Sequence, residues 1–443
     1  MSGLIMAAQL ILGLSILVTL HELGHFLAAR MFGIKVEKFY LFFDAWGIKL
    51  FSFKKGDCEY GIGWLPFGGY VKIAGMVDES MDKEQMAQPP QPWEFRSKPA
   101  WQRLIVMVAG VVMNVILGIA IFSMSLLHYK QSYLANDAVK NGIVAYKQGE
   151  LIGLETGDKI TAINGKPFER FDDLLSTRVL FGATLTVDRN GQTVLVHVPD
   201  DFYRTVGANV RSVFLGAGPL VYKVGQVVIG ENAFKAGLQD GDVITAIDKQ
   251  KITGEDFMSK YFQDKKGESV LLSVTRDSKP LEINVKISSK GTIGLFYNGE
   301  SVIPDSYVKT PYTLASAIKF GTSDAFETLI SNAKGLKKLF NGQEKFQESD
   351  QGPIGIAKIY GGTWDWPHFW VLTGLLSMIL AFMNILPIPA LDGGHVLFLL
   401  IESVTRKKFS DSFMEKTQVV GMVLLLALMV FVIGNDIWRN FIK

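Results

Sequence analysis

The chain has 443 residues, enough for about two to four domains, and a formal net charge of +2, which gives no electrostatic ground for a nucleic-acid partner. Its single cysteine, Cys58, excludes an intrachain disulfide and a cysteine metal site. Hydrophobic residues make up 48% of the chain and gather at its two ends, which argues against a wholly soluble protein.

Residues 1–20 carry no charged side chain, and the apolar run continues through ILVTLHELGHFLAARMFG. Its length predicts a membrane helix over residues 1–33. A basic leader and a small-residue cleavage site are missing, so it reads as a retained helix and not a signal peptide. His21 and His25 are four apart and project from one helix face, where both imidazoles can reach one metal ion. Glu22 between them is placed to act on a water held by that ion, the logic of the H-E-x-x-H pattern of zinc hydrolases. The competing reading is a set of polar groups that hydrogen-bond helices together. Three ionisable groups in five residues are costly in lipid, which favours metal.

The segment 34–103 has Lys35 and Lys38 near one end, with Arg30 just before it, and Arg96, Lys98 and Arg103 near the other. Within it CEYGIGWLPFGGYVKIAG, residues 58–75, alternates like strands around a Pro-Phe-Gly-Gly turn and predicts a membrane-associated β-hairpin. Cys58 is expected to be inert. Residues 104–127 form a second span without charge, in which Asn114 reads as an interhelical hydrogen-bonding residue.

The middle of the chain repeats itself. GLETGDKITAI from Gly153 recurs as GLQDGDVITAI from Gly237, 84 residues later, a domain-sized duplication. Gly-Asp marks a turn, I-T-A-I a strand with one buried face, and two hairpin signals follow. The pattern resembles the PDZ domain, which binds extended peptides at a sheet edge, or else two β domains serving as a rigid cap. The expected bounds are 128–210 and 211–303. Residues 304–368 form a connector whose 311–341 stretch has helical apolar spacing and is expected on the membrane surface or against the PDZ pair.

A third apolar stretch, 369–401, contains NILPIPALDGGHVLF. Pro387 and Pro389 break the helix, and broken backbone at membrane depth must be enclosed by protein or line a wet cavity. Asp392 and His395 are its only ionisable residues in the apolar run. Asp392 is the expected third ligand of a His₂Asp zinc site, against the alternative of a helix-capping aspartate. His395 is expected beside the site or in packing. The loop 402–416 holds Arg406, Lys407, Lys408 and Lys416, and a fourth span covers 417–435. The basic loops are expected in the cytoplasm, leaving both termini and residues 128–368 outside it.

HELGH with N-x-x-P-x-P-x-LDGG resembles the signature pair of the site-2 protease family, intramembrane zinc metalloproteases. The PDZ pair, PFGGYVKIAG, VAGVVMNVILG and GPIGIAK are similar to its RseP-type bacterial members. One departure is YLFFDAWGIKLF, where family members often carry a glycine-rich stretch. The resemblance implies a polytopic α-helical membrane protein with four transmembrane helices, a β-hairpin or sheet at the membrane, and two extracytoplasmic PDZ domains in a bacterial inner membrane. It implies Zn2+ as cofactor, Glu22 as the catalytic base, and Asn384 as a holder of the substrate backbone or of the oxyanion. It further implies that the hairpin, through Gly68, Gly69, Tyr70 and Val71, offers an edge to an unwound substrate. Partners would be single-span membrane proteins such as anti-sigma factors or remnant signal peptides, trimmed beforehand and filtered by the PDZ pair, and possible peptide termini at the PDZ grooves. The rival expectations are an inactive membrane-anchored PDZ scaffold and a proton-relaying transporter.

Overall fold

The computed structural model describes residues 2–438 apart from 67, 77–87, 141, 208–209, 219–220, 253–256, 278, 298–308 and 342–351. Contacts divide the chain into two units, Met1–Gln131 with Tyr312–Lys443, and Ser132–Pro311.

The first unit is helical, with α1 (Ser2–Met31), α2 (Ala100–His128), α3 (Leu314–Phe340), α4 (Pro353–Tyr360), α5 (Trp366–Ile385), α6 (Asp392–Thr405) and α7 (Asp411–Ile437). Among the described residues four helices are long and apolar enough to cross a membrane: α1, α2, α5 and the Ser412–Ile437 part of α7. α2 is the hub, with α1, α3, α5 and α6 all packed against it. The amphipathic 311–341 stretch is therefore one helix laid on α2 and α5, burying Ala317, Phe320 and Ala325 while Leu314, Ile318, Phe326 and Ile330 stay exposed. The third apolar stretch is two helices, α5 and α6, separated at residues 386–391 where the two prolines stand. α4 is tied to α7 by Asp436, whose Oδ2 accepts the Ile354 amide at 2.7 Å and satisfies a donor of the first helical turn.

Between α1 and α2 lies a four-stranded sheet of β1 (Val36–Leu41), β2 (Lys49–Lys55), β3 (Cys58–Gly63) and β4 (Tyr70–Ile73), in the order β2-β3-β1-β4. This corrects the expected hairpin over 58–75. β3 turns back on β2 across Gly56 and Asp57 and runs parallel to β1, while β4 pairs antiparallel with the other side of β1. Both edges of β3 are taken before the chain reaches β4, so β3 and β4 lie on opposite sides of β1 instead of pairing as a hairpin. Phe67 of the Pro-Phe-Gly-Gly segment lies outside the described residues. Cys58 is buried in the apolar cluster between this sheet, α1, α2 and α6.

The second unit holds the duplication. Lys159–Ile163, Ala183–Arg189 and Gln192–Val198 form an antiparallel sheet beside a two-stranded ladder of Ile143–Ala145 with Leu215–Ala217. In the second copy Lys279–Lys286, Ser269–Arg276, Val243–Ile247, Tyr222–Val227 and Leu295–Tyr297 lie side by side in that order. The expected division at residue 210 falls too early. Phe214 and Leu215 are buried in the first copy's core, because the short strand they lead into pairs with Ile143–Ala145.

The Gly-Asp turns are locked identically in both copies. Asp158 Oδ2 accepts the Glu155 amide at 2.8 Å, and Arg189 grips both carboxylate oxygens at 2.8 Å and the Gly153 carbonyl at 2.7 Å. Asp242 Oδ2 accepts the Gln239 amide at 2.9 Å, with Arg276 on both oxygens at 2.7 Å and on the Gly237 carbonyl at 2.8 Å. Both aspartates are buried, so removing either arginine strands a carboxylate in the interior. Arg276→Ala is expected to destabilise the second copy, since it leaves the buried Asp242 carboxylate without its partner. In the intact protein, amide hydrogen exchange over Val243–Ile247 should then accelerate roughly a hundredfold, well beyond that over Lys159–Ile163.

Candidate metal centre

α1 runs unbroken through HELGH, so His21 and His25 stand one turn apart on the same face, both buried. Their rings meet edge to face with centroids 4.8 Å apart, and their Nε2 atoms are 3.2 Å apart. Asp392, the first residue of α6, brings Oδ2 to 3.1 Å from His21 Nε2 and 3.3 Å from His25 Nε2. That oxygen is buried without a hydrogen-bond partner among the described residues, so its short contacts are a convergence on one point. Zinc held at about 2.0–2.1 Å by a tetrahedral set spaces neighbouring ligand atoms about 3.3–3.4 Å apart. Two imidazole nitrogens and a carboxylate oxygen at 3.1, 3.2 and 3.3 Å from one another therefore fit one zinc ion.

The rear of the cluster is α2. A Cβ built on Gly110 would come within 2.3 Å of His25 Nε2 and 2.7 Å of His21 Cε1, so only glycine leaves room for both rings. Gly110→Ala is expected to push the imidazoles apart and weaken zinc binding about 10- to 100-fold, a loss typical of disturbed ligand support, measured by chelator competition. His25 Nδ1 donates to the Val106 carbonyl at 2.8 Å, and His21 Nδ1 lies 3.1 Å from the Asn114 carboxamide nitrogen. Asn114 does bridge two helices, as its setting in an apolar helix suggests, but its partner is a histidine of the cluster.

From α5, Asn384 places Nδ2 3.2 Å from His21 Nε2. Glu22 lines a cavity of about 500 Å³ that His21, His25 and Asp392 also border. Gly69, Tyr70 and Val71 form part of its wall, and β4 has ladder bonds on the β1 side alone among the described residues. Gly68 is not among the lining residues. It faces the Phe43 ring, 3.0 Å from the nearest ring carbon to a Cβ built there. Asp44, in the stretch that departs from the glycine-rich pattern, borders the cavity and is held by the Tyr70 hydroxyl at 2.8 Å and Lys38 at 3.1 Å.

His395 is not one of the three converging groups. It contacts Gln418 of α7, whose Oε1 accepts the Ala390 amide at 2.6 Å. Ala390 has φ +76°, a strained value for a residue with a side chain, so Gln418 braces the break that presents Asp392. Glycines 393 and 394 let α6 start directly against the backbone of that break: a Cβ on Gly393 would lie 2.1 Å from the Leu386 oxygen.

A profile described as Peptidase family M50 matches residues 9–428. A regulator of sigma-E protease, RseP, from Escherichia coli (strain K12) is 30% identical over 457 residues, covering 98% of each chain. A regulator of sigma E protease from Haemophilus influenzae is 29% identical over 465 residues, 99% of this chain and 100% of the relative. A putative zinc metalloprotease from Xylella fastidiosa (strain Temecula1) is 28% identical over 451 residues, 97% of each.

Proposed function

Since this chain belongs to peptidase family M50 and is a zinc metalloprotease, we propose that it cleaves peptide bonds within transmembrane segments of single-span proteins, with His21, His25 and Asp392 as zinc ligands. The observation that carries this reading is the convergence of the three ligand atoms beside a cavity walled by a one-sided strand, in a unit whose helices are fit to span a membrane.

Bound zinc supplies Lewis acidity toward the scissile carbonyl and lowers the pKa of water. The Glu22 carboxylate takes a proton from the attacking water and later gives one to the leaving amine. Asn384 donates from Nδ2 toward the carbonyl oxygen as charge builds on it. A helical substrate hides its amides, so the outer edge of β4 binds it extended, with Gly69, Tyr70 and Val71 nearest the site. Gly68 precedes them along this edge and sits against the ring of Phe43, which lines the same cavity.

The distribution of basic residues in the loops supports a topology with the sheet on the cytoplasmic side of a bacterial inner membrane and residues 132–311 outside, where the two copies would serve as PDZ domains that turn away untrimmed substrates. The relatives named as regulators of sigma-E protease make transmembrane anti-sigma factors a substrate class to test first, with remnant signal peptides second. An inactive scaffold is disfavoured, because the ligand set and Glu22 border one cavity and Asn384 lies against His21.

The deciding experiment reconstitutes the purified chain with a single-span model substrate in liposomes and maps the products by mass spectrometry. Cleavage inside the apolar segment that a zinc chelator abolishes is expected. Cuts confined to the flanking soluble parts would overturn the intramembrane reading.

A further inference from the structure

We propose that Asn114 is the hydrogen-bond acceptor that holds His21 in its Nδ1–H form and so presents Nε2 to the metal. The proposal rests on His21, His25 and Asp392 being the ligands. A neutral imidazole that coordinates through Nε2 carries its proton on Nδ1, and that proton needs an acceptor. His25 meets the requirement with the Val106 carbonyl, which accepts from Nδ1 at 2.8 Å. For His21 the group in reach is the Asn114 carboxamide, 3.1 Å from Nδ1 through the atom placed as nitrogen.

Asn114 is wholly buried, and its Oδ1 has no hydrogen-bond partner among the described residues. Oxygen and nitrogen of a carboxamide exchange places by a half-turn. The half-turn puts Oδ1 on the His21 Nδ1–H, pairing donor with acceptor, and moves Nδ2 to the place where Oδ1 stood without a partner. The backbone at Asn114 is itself anchored, since its carbonyl accepts the Ser377 hydroxyl of α5 at 2.8 Å. Val106, Gly110 and Asn114 follow one another at four-residue intervals, so one stripe of α2 holds His25, leaves room for both rings, and holds His21.

The test uses the full chain in detergent, with zinc affinity read by chelator competition and ligand geometry by the visible spectrum of the cobalt-loaded protein. Asn114→Leu keeps the shape without an acceptor and is expected to weaken zinc about 10- to 100-fold and to alter the cobalt bands. Asn114→Asp accepts but cannot donate, and is expected to keep zinc affinity within a few-fold of the parent and restore the spectrum. Loss of zinc in Asn114→Asp, or unchanged zinc in Asn114→Leu, would overturn the proposal. The aspartate variant decides alone if the leucine variant does not fold. Asp392→Ala runs beside them: its keeping zinc would remove the ligand set itself, whereas zinc lost there and kept in Asn114→Leu would refute the role of Asn114 alone.

Discussion

Glu22→Gln is expected to lower the rate of substrate cleavage by about a thousandfold while leaving one zinc per chain. General acid–base catalysis contributes about 10²–10⁴ in rate, and Glu22 lies in the cavity wall next to the ligands without being one of the three converging groups. The amide of glutamine has nearly the same shape, so the cavity should be preserved. Zinc content by atomic absorption and single-turnover cleavage in liposomes check the two halves of the expectation. A variant that lost its zinc would place Glu22 among the ligands and remove its role as base.

Asp392→Ala should fail in the opposite manner, with zinc falling below about a tenth of an equivalent and cleavage falling with it, because two imidazoles alone are not the three-ligand set of a catalytic zinc site. The substitution also removes the carboxylate that faces both Nε2 atoms at 3.1 and 3.3 Å. Added zinc should not restore activity at concentrations that saturate the parent. Together the two variants separate chemistry from metal binding: one keeps the ion and loses the reaction, the other loses both. Retained zinc in Asp392→Ala would return this residue to the capping role that its place at the start of α6 also allows.

What could be read from the sequence were side chains whose chemistry clashes with their surroundings. His21, Glu22, His25 and Asp392 announced themselves because each is ionisable in an apolar run, and the break before Asp392 because proline cannot continue a helix. Gly110 gave no such signal, since a glycine in an apolar helix shows its purpose only when another helix is laid against it. Asn114 was visible as a polar residue in lipid, but its partner depends on the register of α1 against α2. Alternation in 58–75 marked strands without saying which edges would meet, and β3 and β4 meet opposite edges of β1. The first copy's end was misplaced because a three-residue strand, Leu215–Ala217, is too short to have a period. The arginines that clamp Asp158 and Asp242 lie at unequal distances along the chain and so escape the 84-residue repeat.

The division of the cluster between α1 and α6 has a consequence for how the enzyme is made. On the proposed ligand set, two ligands and the α2 wall behind them are complete within the first 114 residues, and the third arrives only at residue 392. A growing chain would hold at most a two-imidazole site while most of its sequence is translated and threaded into the bilayer. Proteolytic competence would then begin only when α5 and α6 pack onto α2.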